Sequence, residues 1–355
     1  MSHPAIDNRT PLVLAPIFQV DEAGRPIVSA LLKGTFTWDS LGRVTPAEKP
    51  LPWNPAGTYR GDPGVSSVLH EPEITPWKAA TDVALIAHAC TEHPDDTRVD
   101  VMIEVGSIGR HVVVTGDRWF QKRWLGIGIS EPQAFDRIPL SWENAFGGWD
   151  RTFEDAKQQG YEPRNPLGAG FRLKSSPWVE EVRLPNLEDP AHLVRAWGKP
   201  VIPAGIGFTS PDMMPRRGFA GTYDAKWQAQ RSPMLPADFD RRFFNAAAPG
   251  MVADGYLRGD EQVLIRGVMR SGMLDLTLPG IPPPTVTVAF RHGREDVRQD
   301  TVLDTVIIDV DAKQLVLLWR TLVTLDQGPH EVSDLVAVNG AQLPAASAVP
   351  ALSDY

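Results

Sequence analysis

The sequence predicts a mainly β protein: two β-rich, sandwich-like modules joined by a long loop-rich middle region with short helices. Three observations carry this expectation. Apolar residues alternate with polar ones near both ends of the chain, as in RVDVMIEV at 98–105. The 33 prolines and 30 glycines among 355 residues are spread along the chain rather than gathered in one linker, which calls for many ordered loops between short elements. Residues 150–255 lose the alternation altogether. The expected division is therefore an N-terminal β-rich module at 1–149, the loop-rich region at 150–255, a C-terminal β module at 256–340 and a loose tail at 341–355.

Taken in order, PLVLAPIFQV and IVSALLKGTFTW are strands separated by DEAGRP, a composition that closes hairpins. Residues 45–78 hold seven prolines and read as loop. RVDVMIEV places Val99, Val101, Ile103 and Val105 on one face, and GSIG turns the chain into RHVVVTG to make a second hairpin. The segments 150–159 and 223–231 read as short helical pieces. Strand signals return in EQVLIRGVM, TVTVAFRHG, DTVIIDVD and QLVLLWRTLVT, the last two joined as a hairpin through Asp311, Ala312 and Lys313.

Composition excludes several functional classes. A net charge of −9, with no basic run longer than a pair, disfavours nucleic acid as a partner. One cysteine, Cys90, excludes an intrachain disulfide framework. The N-terminus has no basic segment followed by an apolar run, and no apolar stretch of about 18 residues occurs, so we expect a cytoplasmic protein without membrane insertion.

His88, Cys90 and His93 in AHACTEHPDD are three metal-type ligands within six residues. They lack a fourth ligand and a recognised spacing, so no metal is expected. VGSIG at 105–109 lacks the first glycine of a nucleophile elbow, and GIGISEP lacks phosphate-loop spacing, so no catalytic residue and no cofactor are expected. SWENAFGGWD at 141–150 admits two readings. Glu143 and Asp150 beside tryptophans suit a carbohydrate-active enzyme, which needs a carboxyl pair, or a carbohydrate-binding module, which uses apolar aromatic faces. The structural reading has Gly147 and Gly148 setting a tight turn, Trp142 and Phe146 filling a corner, and Glu143 or Asn144 bonding loop amides. The same logic makes PADFDRRFFNAAAP a structural motif: Asp238 caps a short helical turn, Phe239, Phe243 and Phe244 supply its apolar side, and Asn245 follows. Trp53, Trp77, Trp178, Trp197 and Trp227 lie in or beside loops and are the expected aromatic anchors of a protein-binding surface.

Several stretches together are more specific. YRGDPGVSSVLHEPEITPWKAATDVALIAHA, GDRWF, PLSWENAFGGWD, RNPLGAGF, LPNLEDP, GTYDAKWQAQRSPMLPADFDRRFFNAAAP and LRGDEQVLIRGV follow one another along the chain. In this order they resemble domain-of-unknown-function family 2169, whose members are encoded beside bacterial type VI secretion spike and toxin genes. The resemblance implies a non-catalytic cytoplasmic adaptor or chaperone. Its partners would be the N-terminal region of a toxin effector, a spike-tip protein, or both, and its task would be loading the effector onto the spike (valine-glycine repeat/PAAR) complex.

Overall fold

The run PIVSALLKGTFTW becomes the longest strand of the protein, Pro26–Trp38, and nearly every position along it is buried. A strand buried on both faces needs cover on both, and the computed structural model, which describes residues 4–340, shows what supplies it. Pro26–Trp38 pairs antiparallel with Val13–Val20 on one side and with Gln314–Thr324 on the other. The sheet continues through Val302–Asp309 to Asp82–Ile86, which joins in parallel, and the short Val44–Pro46 adds a sixth strand at one end of Pro26–Trp38.

Alternation along these strands feeds two cores. Leu32, Leu317 and Trp319 face the main core, whereas Leu31, Val316 and Leu318 face a smaller one that also holds Val68 and Phe208. A five-stranded antiparallel sheet covers the main core: Leu187–Glu188, Ile108–Thr115, Arg98–Val105, Gln262–Arg266 and Met273–Thr277 in that order. Val101, Ile103 and Val105 point inward from it, while Met102 and Glu104 are exposed. A four-stranded sheet, ordered Ala5–Asn8, Val332–Val338, Thr285–Phe290 and Val297–Asp300, contributes Val286, Val288 and Leu335 to the same core. The protein is thus mainly β. Strands from residues 1–149 and from residues 256–340 share all three of these sheets, so the sheets cut across the division drawn along the sequence.

The middle region is mostly loop. Residues 223–231 contain the helix Ala225–Gln230, whose first turn is capped by Asp224 accepting from the Trp227 amide at 2.8 Å. Within 150–159 the helical piece is the single 3-10 turn Ala156–Gln158, and Asp150 belongs to the short strand Trp149–Asp150. The Asp150 side chain is drawn to residues 173 and 176 across the loop, which fixes the chain in an extended path. Among the described residues no helix is long and apolar enough to cross a membrane. The tail expected at 341–355 lies outside the described residues.

Candidate functional site

SWENAFGGWD folds as a closed corner. Trp142–Asn144 make one 3-10 turn that buries Trp142, whose indole donates to the Phe208 carbonyl at 2.8 Å. Glu143 accepts from the Ser67 amide at 2.6 Å and the Ser67 hydroxyl at 2.9 Å. Asn144 donates to the Pro139 carbonyl and accepts from Arg183. Phe146 is buried edge-on against Phe171. Gly147 and Gly148 have φ of +154° and +94°, and an added Cβ would lie 2.0 Å from the Asn165 carbonyl oxygen or 2.3 Å from that of Gly168. Two chain segments therefore cross here at a separation only glycine permits.

Both carboxylates of the motif are engaged. Asp150 accepts from the Thr152 amide and hydroxyl, the Leu173 amide and the Ser176 hydroxyl. Burial opposes the charge on Glu143 and on Asp150, but the hydrogen bonds outweigh it and hold both pKa values below the ordinary carboxylate value. Trp149 is 45% exposed and stacks on Tyr161 with ring centroids 4.4 Å apart, with Arg151 over its face. The motif thus leaves Trp149 partly exposed between Tyr161 and Arg151, with no free acid beside it.

The proline-rich loop at 45–78 is clamped onto the six-stranded sheet by buried charges, a feature the sequence reading missed. Lys33, Lys78, Arg216 and Arg320 face Glu71, Glu73, Asp82 and Asp304, all buried. Lys78 donates to Asp82 at 2.7 Å, to Thr305 at 2.9 Å and to Glu71. Arg320 donates to Asp304 and to the carbonyls of Glu73 and Thr75. Burial works against the Lys78 charge, yet Asp82, Glu71 and Asp304 together raise its pKa above the ordinary lysine value; burial likewise raises Glu71, with Lys78 opposing. Such matched pairs fix how the loop sits more than they add stability. The signal was present in the sequence as HEPEITPWKAATD, where two glutamates, a lysine and an aspartate occur in a stretch otherwise apolar or turn-forming.

The second loop motif meets this network. Asn245 donates to the Ala80 carbonyl and to Asp82, and accepts from the Ala79 amide. Phe239, Phe243 and Phe244 contact one another, Phe244 reaches Trp77, and Arg241 lies 4.7 Å above the Trp77 ring. Asp240, not Asp238, caps the 3-10 turn Arg241–Phe244, accepting from the Arg242 amide. Asp238 instead holds the Thr222 amide and hydroxyl. The two acids sit two residues apart, and only the one adjacent to the turn has its carboxylate over the free amides.

Of the anchor tryptophans, Trp53 is 37% exposed and the other four are half-buried. Trp178 and Trp197 lie against each other, and Trp197 meets Phe120 edge-on. Trp227 donates to the Met234 carbonyl and contacts Tyr223. The tryptophan with most surface is one the sequence reading passed over. Trp124 is 91% exposed and Leu125 79%, together forming the turn of a hairpin between Phe120–Arg123 and Gly126–Ile129. KRWLGIG does carry a signal: two large apolar residues occupy a two-residue turn directly after two cations.

His88 bonds Asp311 at 2.8 Å, and Asp311 also accepts from Arg137. The Cys90 thiol is pushed up in pKa chiefly by burial, and the His93 backbone amide donates to Asp96. Among the described residues no group of three or more His, Cys, Asp or Glu side chains is placed to hold a metal ion. A family model described as "Uncharacterized protein conserved in bacteria (DUF2169)" matches residues 23–320. No curated protein and no solved structure matches.

Proposed function

Because this chain belongs to the DUF2169 family of uncharacterized proteins conserved in bacteria, we propose that it is a non-catalytic cytoplasmic adaptor. In this reading it binds a type VI secretion toxin, through the toxin's N-terminal region, and helps to load it onto the spike. The observation that carries the reading is the hairpin tip, where Trp124 and Leu125 stand almost fully in solvent. Large apolar side chains held out on a short, defined turn are what a protein partner buries, and tryptophan is over-represented among the residues that dominate binding energy. The engagement of Glu143 and Asp150 in loop bonding supports the same reading over a carbohydrate-active enzyme, which would need one of these carboxyls free to exchange a proton.

The test is co-purification of the toxin encoded beside the gene, from cells with and without the adaptor. We expect the toxin to co-purify with the adaptor at fixed stoichiometry, and its accumulation and delivery to fall when the gene is deleted. Unchanged accumulation and delivery after deletion would remove the adaptor reading.

A further inference from the structure

Three features coincide on the hairpin of Phe120–Arg123 and Gly126–Ile129. Trp124, Leu125 and, at 39%, Ile127 expose apolar surface along its tip and its second strand. Residues 118–130 contain no carboxylate, and neither Lys122 nor Arg123 makes an ion pair among the described residues. The chain as a whole carries −9, so this tip is locally positive on an acidic protein. Finally, Gly126–Ile129 pairs with Phe120–Arg123 and, among the described residues, with no other strand. An antiparallel strand turns every second N–H and C=O away from its partner, so the outer side of Gly126–Ile129 presents backbone groups without a strand to receive them. Arg123 donates to the Ile129 carbonyl at 2.7 Å, so that carbonyl is already paired, a cation lies along that side, and the open backbone groups centre on Ile127.

We propose that this hairpin binds an extended protein segment that alternates apolar and acidic residues, by strand addition along Gly126–Ile129. The proposal rests on the adaptor reading and names the surface and the partner chemistry. Added backbone hydrogen bonds satisfy the open side, and the apolar residues of the segment cover Ile127, Leu125 and Trp124. Its carboxylates, on the face opposite Ile127, meet Arg123, whose side chain lies over Gly128. At the base of the hairpin a depression of about 340 Å³, lined by Arg118, Ile129, Ser130, Pro132, Glu188 and Leu193 among others, extends the path beyond the strand. Cations beside an open strand edge are also a common guard against unwanted pairing, but a guard does not hold out Trp124 and Leu125 beside it. An anionic membrane would suit the cations and the tryptophan, yet it would leave the open backbone groups unpaired in hydrocarbon.

The probes are fluorescein-labelled ten-residue peptides tested against the full chain: one alternating valine with glutamate, one alternating valine with lysine, and the glutamate peptide with a central proline. Vesicles of phosphatidylglycerol serve as the membrane probe. The glutamate peptide should bind, and the lysine and proline peptides should bind at least about tenfold more weakly. W124A/L125A and I127P should each weaken the glutamate peptide by a similar factor of about ten. R123E should exchange the preference from the glutamate to the lysine peptide, a gain that a misfolded variant does not produce. Equal binding of all three peptides, or retention of binding in I127P, overturns strand addition. Vesicle binding that is lost in W124A/L125A, without glutamate-peptide binding, replaces the proposal with membrane docking. If the neighbouring toxin co-purifies equally with wild type and with W124A/L125A, this surface is wrong while the adaptor reading stands. If the glutamate peptide binds and reverses as described but no toxin co-purifies, the adaptor reading fails alone.

Discussion

A carboxylate that already accepts several hydrogen bonds has to surrender them before it can trade protons. Glu143 holds two groups of Ser67, 76 residues away in sequence, and that bond ties the loop at 45–78 to the corner of SWENAFGGWD. Its lowered pKa is a statement about stability. A carboxyl whose folded pKa lies below its unfolded value contributes stability that is present above the unfolded pKa and is lost as pH falls through the folded one. We expect E143Q to lower stability at neutral pH by about 1 kcal/mol, allowing for solvent around a half-exposed side chain. The gap between wild type and variant should close on acidification below the ordinary carboxylate range. Melting temperatures of both proteins from pH 7 down to pH 3 check this; a gap that widens in acid contradicts the assignment. Residue roles were legible where chemistry is local, as with the glycine pair and the buried Trp142. Trp124 was not legible in the same way, because a tryptophan near a turn looks alike whether or not another segment covers it.

The loops that close hairpins show a local code acting at the scale of whole elements. DEAGR at 21–25 and DSLGR at 39–43 share the spacing Asp-x-x-Gly-Arg, and both end a strand pair of the six-stranded sheet. Asp21 accepts from the amides of Ala23 and Arg25, and Asp39 from those of Leu41 and Arg43. In each turn the arginine Nε donates back to its aspartate, and Gly24 and Gly42 take φ of +80° and +75°. The sequence reading recognised only the first as a turn, although the repeated spacing was in view. The two glycines differ in surroundings. A Cβ on Gly24 would meet the Met234 side chain at 2.7 Å, which can move aside, whereas one on Gly42 would lie 2.1 Å from the Asp275 carbonyl oxygen, fixed in the outermost strand of the five-stranded sheet. We expect G24V to cost about 1 to 3 kcal/mol from backbone strain, and G42V to cost at least about 1 kcal/mol more. Urea unfolding of the two variants measures the difference, and equal losses would show that the two sheets do not touch rigidly at this turn. The helical piece expected within 150–159 is confined to Ala156–Gln158 for the converse reason: Asp150 finds partners more than 20 residues away, which no local pattern displays.

At the scale of the molecule, strands were readable and their partners were not. Alternation in RVDVMIEV or QLVLLWRTLVT marks an extended segment and its inward face, but pairing is decided by contacts far along the chain. Asp82–Ile86 joins Val302–Asp309 in parallel, and Pro26–Trp38 runs beside Gln314–Thr324 over ten paired positions. Removing the last 100 residues therefore strips the long buried strand of one neighbour and exposes Leu31, Leu32 and Val28 along an open sheet edge. The reverse fragment fares no better. Residues 256–340 would carry Val302–Asp309 and Gln314–Thr324 without their neighbours Asp82–Ile86 and Pro26–Trp38, and the core around Val306, Ile308, Leu317 and Trp319 would lose Leu187–Glu188, Ile108–Thr115 and Arg98–Val105 from the five-stranded sheet. Because the main core draws on both ends of the chain, neither fragment carries it whole. We expect residues 1–255 and 256–340, produced separately, each to lack a cooperative urea transition by tryptophan fluorescence. Produced together in one cell, they should assemble and recover a single transition. A cooperative transition in 256–340 alone would show that the C-terminal strands hold a core of their own, and that the shared sheets join two units that fold independently.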